Sequence, residues 1–166
     1  MMNKQDIYDL LSGRGFWHEI TEHPAVYNMA EMAEVQLPYP EADAKNLFIR
    51  DDKRQTYCLI TVRGDKRVDL KRFRKEQGLR PLHFAPAEEL QALLSLTPGS
   101  VTPFGLLNDA DHRVTLYLDG EFSGALIGVH PNDNTATVWL QAEDLVRLLM
   151  QRGTSIQFVT LPVMDT

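Results

Sequence analysis

The sequence has a single cysteine and lacks any long hydrophobic run. Cys58 has no partner for an intramolecular disulfide bond. No stretch approaches the ~18 consecutive apolar residues of a membrane-spanning helix. The N-terminal segment turns polar at once, without the apolar centre of a secretory signal. We therefore predict a protein of the reducing cytoplasm that has no membrane partner.

Several catalytic motifs are also missing. The sequence contains neither the Gly-x-Ser-x-Gly elbow of many serine hydrolases nor the glycine-rich loops that cradle nucleotides. Its five histidines show no His-x-x-x-His spacing, and the lone cysteine has no companion, so no metal-ligand set is visible. We predict no metal and no cofactor.

The apolar patterns predict one domain, residues 1–166, of the α+β class. The chain is 43% hydrophobic and 24% charged, which is ordinary for a packed domain of this length. Helical periodicity occurs at 3–12, 69–77, 86–94 and 142–151, with a short helix after Asn28. Strands are predicted at 17–21, 45–50, 56–63, 113–118, 125–129, 135–140 and 156–159. Because helices and strands mix without regular alternation, we expect a central mixed, largely antiparallel sheet flanked by helices.

Charge is distributed unevenly along a chain whose formal net charge is −6. Residues 45–80 hold twelve positive and five negative side chains, whereas the remainder holds five positive and eighteen negative. Within this basic segment, Lys71, Arg74 and Lys75 share one face of a predicted helix. Such a face can bind phosphates or an acidic partner, and it can equally be a solvated surface.

The segment Gly99–Pro103 has the pattern of a rigid turn with accessible backbone. Gly99 permits close approach of a ligand to the main chain, and Thr102-Pro103 is typical of a helix N-cap followed by the first helical residue. Free N–H groups there can hold a carboxyl oxygen or a developing oxyanion. The alternative is a turn with a purely structural role.

Two further positions place polar chemistry at strand ends. His130 ends an apolar strand, where its imidazole can donate to an ester carbonyl or orient water, or simply bond the nearby main chain. Lys45 and Asn46 open another strand. Lysine can pair with a phosphate or carboxylate, and asparagine can bind water or a carbonyl. The alternative for this pair is a solvated strand terminus.

Five blocks of sequence occur in a characteristic order along nearly the whole chain. They are Glu22-His23-Pro24-Ala25-Val26, Lys45-Asn46-Leu47-Phe48, Arg67-Val68-Asp69-Leu70, Pro98-Gly99-Ser100-Val101-Thr102-Pro103-Phe104-Gly105-Leu106 and Val129-His130-Pro131-Asn132-Asp133-Asn134-Thr135. Together they resemble the YbaK/ProX family, free-standing relatives of the editing domain of bacterial prolyl-tRNA synthetases. The resemblance is greatest to the ProX branch, which hydrolyses alanine mischarged onto proline tRNA. It implies an α+β fold with a small pocket.

The resemblance also implies roles for particular residues. Lys45 matches the family's essential lysine, associated with the tRNA 3′ end, and Asn46 matches the adjacent polar residue. His130 matches the histidine near the scissile ester. The Gly-x-x-x-Pro substrate loop is matched by Gly99, Ser100, Val101, Thr102 and Pro103, and the pocket wall by Val26 and Met29.

The expected function is therefore trans-editing of mischarged tRNA(Pro), with prolyl-tRNA synthetase as a further partner. An aminoacyl ester is labile, so positioned water and oxyanion stabilisation suffice without a covalent nucleophile. The basic face of Lys71, Arg74 and Lys75 is the expected track for the acceptor stem. Two alternatives stay open: a deacylase for cysteine or serine on tRNA, and a non-catalytic module that binds aminoacyl-tRNA or a synthetase.

Overall fold

Two β-sheets form the frame of the fold. The computed structural model describes residues 1–164, except for the side chain of Met29, and in this part of the chain eight strands form a five-stranded and a three-stranded sheet. The strands are β1 (His18–Glu22), β2 (Ala44–Asp51), β3 (Tyr57–Arg63), β4 (Leu82–Phe84), β5 (Val114–Asp119), β6 (Leu126–Val129), β7 (Ala136–Gln141) and β8 (Ser155–Val159).

The larger sheet is mixed and the smaller one is antiparallel. The larger sheet has the order β4-β2-β3-β5-β8, in which β4, β2 and β3 pair antiparallel whereas β5 and β8 add in parallel. The smaller sheet has the order β1-β7-β6. This arrangement confirms the predicted α+β class with a mixed sheet. The sequence did not predict the division of the strands between two sheets.

Five α-helices accompany the sheets in the described residues. They are α1 (Lys4–Arg14), α2 (Met29–Met32), α3 (Leu70–Glu76), α4 (Ala87–Leu94) and α5 (Ala142–Gln151). Their caps follow from local chemistry: Asn3 and Asp6 form a capping box on α1, and Asp69 accepts a hydrogen bond from the N–H of Arg72 at the start of α3. None of these helices has both the length and the apolar character needed to cross a bilayer.

The hydrophobic core lies on both faces of the larger sheet. Side chains of β3 alternate between the two faces, so Leu59 packs with the main cluster whereas Cys58 and Ile60 pack with a second cluster that includes Phe73 of α3. Burial raises the pKa of the Cys58 thiol to about 12. Cys58 is therefore a core residue and not a nucleophile.

Strand β4 is short and leaves part of its neighbour uncovered. It pairs with Ile49–Asp51 of β2, so the first half of β2, beginning at Ala44, forms an open edge of the larger sheet. Near this edge, an isolated parallel bridge joins Asp43 to Gly128 of β6 and thereby links the two sheets. The junction of the two sheets is where the candidate site lies.

Candidate functional site

A cavity of about 290 Å³ lies beside the open edge of β2. Its wall is assembled from segments that are distant in sequence: the loop before α2, the start of β2, the loop after α4 and the end of β6. Six residues predicted from the sequence line it: Val26, Lys45, Asn46, Gly99, Val101 and His130. The fold thus brings together positions more than 100 residues apart.

Other predicted residues lie elsewhere. Ser100, Thr102 and Pro103 are buried and do not line this cavity. The side chain of Met29 lies outside the described part of the structure, so its predicted place in the wall is a prediction still. The basic helix α3 is also separate from the cavity wall.

Lys45 is held at the cavity by a backbone carbonyl. Its Nζ donates to the carbonyl oxygen of Lys66 in the loop that follows β3. Partial burial lowers the pKa of the Lys45 amine, and the neighbouring Arg67 lowers it further. No described carboxylate lies within ion-pairing distance of this amine. Its positive charge is therefore available to an incoming anion.

Asn46 presents its amide in a fixed orientation. Its Oδ1 accepts a hydrogen bond of 2.6 Å from Oγ1 of Thr61, the residue directly across from it on β3. This bond uses the carbonyl end of the amide and leaves the Nδ2 group as a donor. Asn46 can thus donate a hydrogen bond to an oxygen atom in the cavity.

His130 is a neutral imidazole with one nitrogen committed. Its Nδ1 lies 2.8 Å from the carbonyl oxygen of Ala136, which can only accept, so Nδ1 carries the proton. Burial lowers the pKa of His130 below its usual value, and nearby His23 adds to this effect. Nε2 is consequently an acceptor. Of the two roles considered from the sequence, this geometry favours orienting water over donating to a carbonyl.

The loop after α4 supports His130 from behind. Thr102 is fully buried, and its Oγ1 donates a 2.6 Å hydrogen bond to the backbone carbonyl of His130. In the same loop the N–H of Ser100 donates to the carbonyl of Thr97 at 2.9 Å. The Thr102 hydroxyl is therefore used to connect the loop to the strand end that carries His130.

Gly99 lies where another side chain needs space. A Cβ atom on Gly99 would lie 2.6 Å from Cδ1 of Tyr27 and 3.1 Å from Nδ2 of Asn134. Tyr27 also lines the cavity and is 69% exposed. A side chain at this position would therefore displace the tyrosine ring, which packs directly against the main chain.

The cavity is also lined by Tyr27, Met32 and Asp43, which are not predicted from the sequence. Asp43 precedes Lys45 by two residues at the entrance to β2, and this spacing puts side chains on the same side of an extended chain. No sequence signal marks Asp43 as a carboxylate without a partner. Among residues 1–164 as described, no cluster of three His, Cys, Asp or Glu side chains has the arrangement of a metal site.

Fold and cavity together define a class of site. An amine, an amide donor and a neutral imidazole surround a small cavity, and no serine, threonine or cysteine is among its described lining residues. Such a site suits hydrolysis by positioned water. Comparison of the sequence with known families then identifies the chain: residues 23–148 match the aminoacyl-tRNA editing domain, and the protein belongs to that family.

Individual relatives support this assignment. The chain is 37% identical over 145 residues to the prolyl-tRNA editing protein ProX of Acetoanaerobium sticklandii, covering 87% of this chain and 88% of the relative. It is 32% identical over 140 residues to prolyl-tRNA synthetase associated domain-containing protein 1 of Bos taurus, covering 81% of each chain. The predicted family and the predicted enzyme class, an aminoacyl-tRNA deacylase, are confirmed.

A solved structure shows the same fold. The crystal structure of a protein provisionally described as a trans-editing enzyme for prolyl tRNA synthetase superposes with a TM-score of 0.65. The match covers 100% of this chain and 99% of that one at 20% sequence identity. The similarity therefore concerns the architecture.

Proposed function

We propose that the protein hydrolyses the ester of alanine mischarged onto proline tRNA, as a free-standing enzyme. The observation that supports this most strongly is the convergence of Lys45, Asn46, Gly99 and His130 on one cavity. The name of the relative from Acetoanaerobium sticklandii supports the link to prolyl-tRNA. The proposed location is the cytoplasm, and contact with prolyl-tRNA synthetase during editing is part of the proposal.

The proposed reaction uses water and no covalent intermediate. His130 Nε2 accepts a proton as water attacks the ester carbonyl carbon, and the same proton then passes to the departing ribose oxygen. The Asn46 amide and the backbone N–H of Gly99 donate hydrogen bonds to the oxyanion that forms. Lys45 moves from the Lys66 carbonyl to a phosphate at the tRNA 3′ end, because an ammonium binds a phosphate more strongly than a neutral carbonyl.

Selection of a small amino acid is part of the proposal. A volume of about 290 Å³ lies at the lower end of the ~300–1,000 Å³ range of ligand cavities. A synthetase pocket made for proline excludes the smaller alanine only by lost contacts, worth about 1–3 kcal/mol per methylene. A separate editing site that is smaller than the synthetase pocket selects in the opposite direction, because alanine enters it and proline does not.

A deacylation panel tests the proposal. Alanyl-, seryl-, cysteinyl- and prolyl-tRNA(Pro) are incubated with the wild-type protein, and we expect rapid release of alanine and intact prolyl-tRNA. His130→Ala should lower kcat by about 10²–10⁴-fold, whereas Lys45→Ala should mainly raise the KM for tRNA. Lys53→Ala, an exposed lysine in the β2–β3 turn, is the matched control and should retain wild-type kinetics.

The outcomes separate the alternatives. Faster release of serine or cysteine than of alanine would reassign the substrate within the same class. Retention of tRNA without turnover would indicate a non-catalytic binding module. A wild-type protein that neither binds nor hydrolyses these substrates would overturn the proposal.

A further inference from the structure

Asp43 is a buried carboxylate at the wall of the cavity. The residue is 8% exposed, and it lines both the site cavity and a neighbouring cavity of about 600 Å³. Its backbone is fixed, since its N–H donates to the carbonyl of Pro40 at 3.3 Å and its carbonyl accepts from the N–H of Gly64 at 2.9 Å. The main chain of Asp43 therefore has a defined position in the cavity wall that Lys45 and His130 also line.

Asp43 differs from every other buried aspartate in the described chain. Asp51 accepts hydrogen bonds from the N–H groups of Gln55 and Thr56. Asp109 accepts from two backbone N–H groups at 3.1 and 2.9 Å, and Asp119 pairs with Lys66 at 3.0 Å. Within residues 1–164, and leaving Met29 aside, the Asp43 carboxylate forms no hydrogen bond or ion pair with the protein. Its oxygen atoms are not fully enclosed, so they reach the surface of the cavities that the residue lines.

No described cation forms an ion pair with Asp43. Lys45, on the same wall, donates to the Lys66 carbonyl. Arg63, which borders the neighbouring cavity, binds Asp65 at 2.7 Å and Glu121 at 3.2 Å. Burial without a partner raises the pKa of Asp43 to about 7. A buried carboxylate without a partner costs stability, so its presence at a binding cavity points to a cationic group supplied by the ligand.

We propose that Asp43 binds the α-ammonium group of the aminoacyl ester, an inference that rests on the proposed function. This ammonium is the one cationic group of an alanyl ester. With the ammonium at Asp43, the ester carbonyl lies on the side of Asn46, Gly99 and His130, which surround the same cavity. Asp43 is thus a substrate-binding residue that recognises a free amino acid and discriminates against acyl groups without a charged amine.

An isosteric substrate pair tests this inference. Deamination of alanyl-tRNA(Pro) with nitrous acid replaces the ammonium by a hydroxyl group and gives the lactyl ester, of nearly equal size. The kcat/KM of each ester is measured with the wild type and Asp43→Asn. The ratio of alanyl to lactyl values should fall by about 30-fold or more in the variant, because a buried charge pair is lost. Intrinsic differences in ester reactivity cancel in this comparison.

A control variant and three contrary outcomes complete the design. Glu41→Gln removes the same charge from an exposed residue that lines the neighbouring cavity, and it should leave the ratio unchanged. If Asp43→Asn slows both esters equally, Asp43 acts on the fold or on catalysis and the inference is wrong. If the wild type hydrolyses alanyl-tRNA(Pro) and Asp43→Asn keeps the wild-type ratio, only this inference fails. An inactive wild type contradicts the proposed function itself.

Discussion

Asp43 shows, at the scale of a single residue, how a binding group lowers stability. Burial raises the pKa of Asp43 from 3.8 to about 7 in the folded protein. The folded chain therefore holds this proton more tightly than the unfolded chain, and the free energy of unfolding falls as the pH rises between these values. Above pH 7 the buried carboxylate is charged and its full cost is present.

Asp43→Asn should consequently stabilise the free protein, and more so at high pH. At about 1.36 kcal/mol for each pH unit between 3.8 and about 7, the gain reaches at most ~4 kcal/mol at pH 8 and is much smaller at pH 5. Urea unfolding at both pH values measures it. The charged neighbours Lys45, Arg63 and Asp65 are kept unchanged in this comparison.

Asp109→Asn is the matched control for this measurement. Asp109 is equally buried, but its carboxylate accepts two backbone hydrogen bonds. Its replacement should lower the free energy of unfolding at both pH values, because one acceptor becomes a donor that faces an N–H group. An Asp43 variant that loses stability in the same way would contradict the absence of a partner for Asp43.

The sequence predicted those site residues whose side-chain chemistry by itself indicates a role. Lys45, Asn46 and His130 were predicted from polar groups at strand ends and from the family resemblance, and the structure places them around one cavity. Asp43 was not predicted. Its importance lies in the absence of a partner, and sequence does not show which carboxylates find one.

At the scale of secondary-structure elements, the loop after α4 connects the cavity to its supports. Gly99 contacts the ring of Tyr27, and Thr102 donates to the carbonyl of His130. The loop therefore fixes two walls of the cavity at once. A substitution in this loop that displaces a solvent-exposed side chain should lower activity far more than it lowers stability.

Gly99→Ala tests this expectation. The added methyl group would displace the Tyr27 ring, which is 69% exposed and can move at low cost. We expect kcat/KM for alanyl-tRNA(Pro) to fall at least tenfold, with a change in unfolding free energy below about 1 kcal/mol. Deacylation kinetics and urea unfolding of the same preparation measure both quantities.

Gly13→Ala provides the comparison. Gly13 lies within α1, and no atom within 4 Å obstructs a Cβ there. This variant should gain about 0.5–1 kcal/mol in stability, since alanine favours the helix, and should keep full activity. Equal kinetics of the two variants would contradict a role for the Gly99–Tyr27 contact.

Most elements were predictable because their signals are local. The helix 142–151 and strands β2 and β3 were predicted within one or two residues from apolar periodicity. The short helix predicted after Asn28 is present, and Asn28 Oδ1 accepts a 2.8 Å hydrogen bond from the N–H of Glu31. Strand β4 was missed because three residues carry no periodicity. Its pairing with Ile49–Asp51 is a long-range contact that only the folded chain shows.

At the scale of the whole molecule, the basic segment is partly neutralised by the fold. Among the described residues, five of its twelve cations form ion pairs: Arg50, Arg63, Lys66, Arg72 and Arg80. On α3, Lys71 and Lys75 are exposed, whereas the guanidinium of half-buried Arg74 donates to the Leu79 carbonyl at 3.0 Å. Helix α3 begins four residues after Lys66, whose carbonyl accepts the hydrogen bond from Lys45.

Charge reversal at Lys71 and Lys75 tests the proposed track for the acceptor stem. The double glutamate variant should raise the KM for tRNA severalfold, leave kcat unchanged and reduce the slope of log affinity against log salt concentration by about 1–2. Filter binding and deacylation at several salt concentrations measure these changes. Arg74 is kept because its bond to Leu79 supports the helix end.

The control changes net charge equally at a different surface. Arg14 and Arg152 are exposed outside the basic segment, and their double glutamate variant should bind tRNA with nearly the wild-type salt slope. Similar weakening by both variants would assign the effect to overall charge. The helix face would then be an ordinary solvated surface.

The assembly of the cavity wall from remote segments of the chain affects the order of events during folding. Its residues come from four distant segments, and the larger sheet closes through parallel pairing of β3 with β5 and of β5 with β8. Helices and the β2–β3 hairpin form from neighbouring residues and therefore early, whereas contacts between remote segments form late. During refolding, catalysis should return after most of the circular dichroism signal, so enzyme activity reports the last step of assembly.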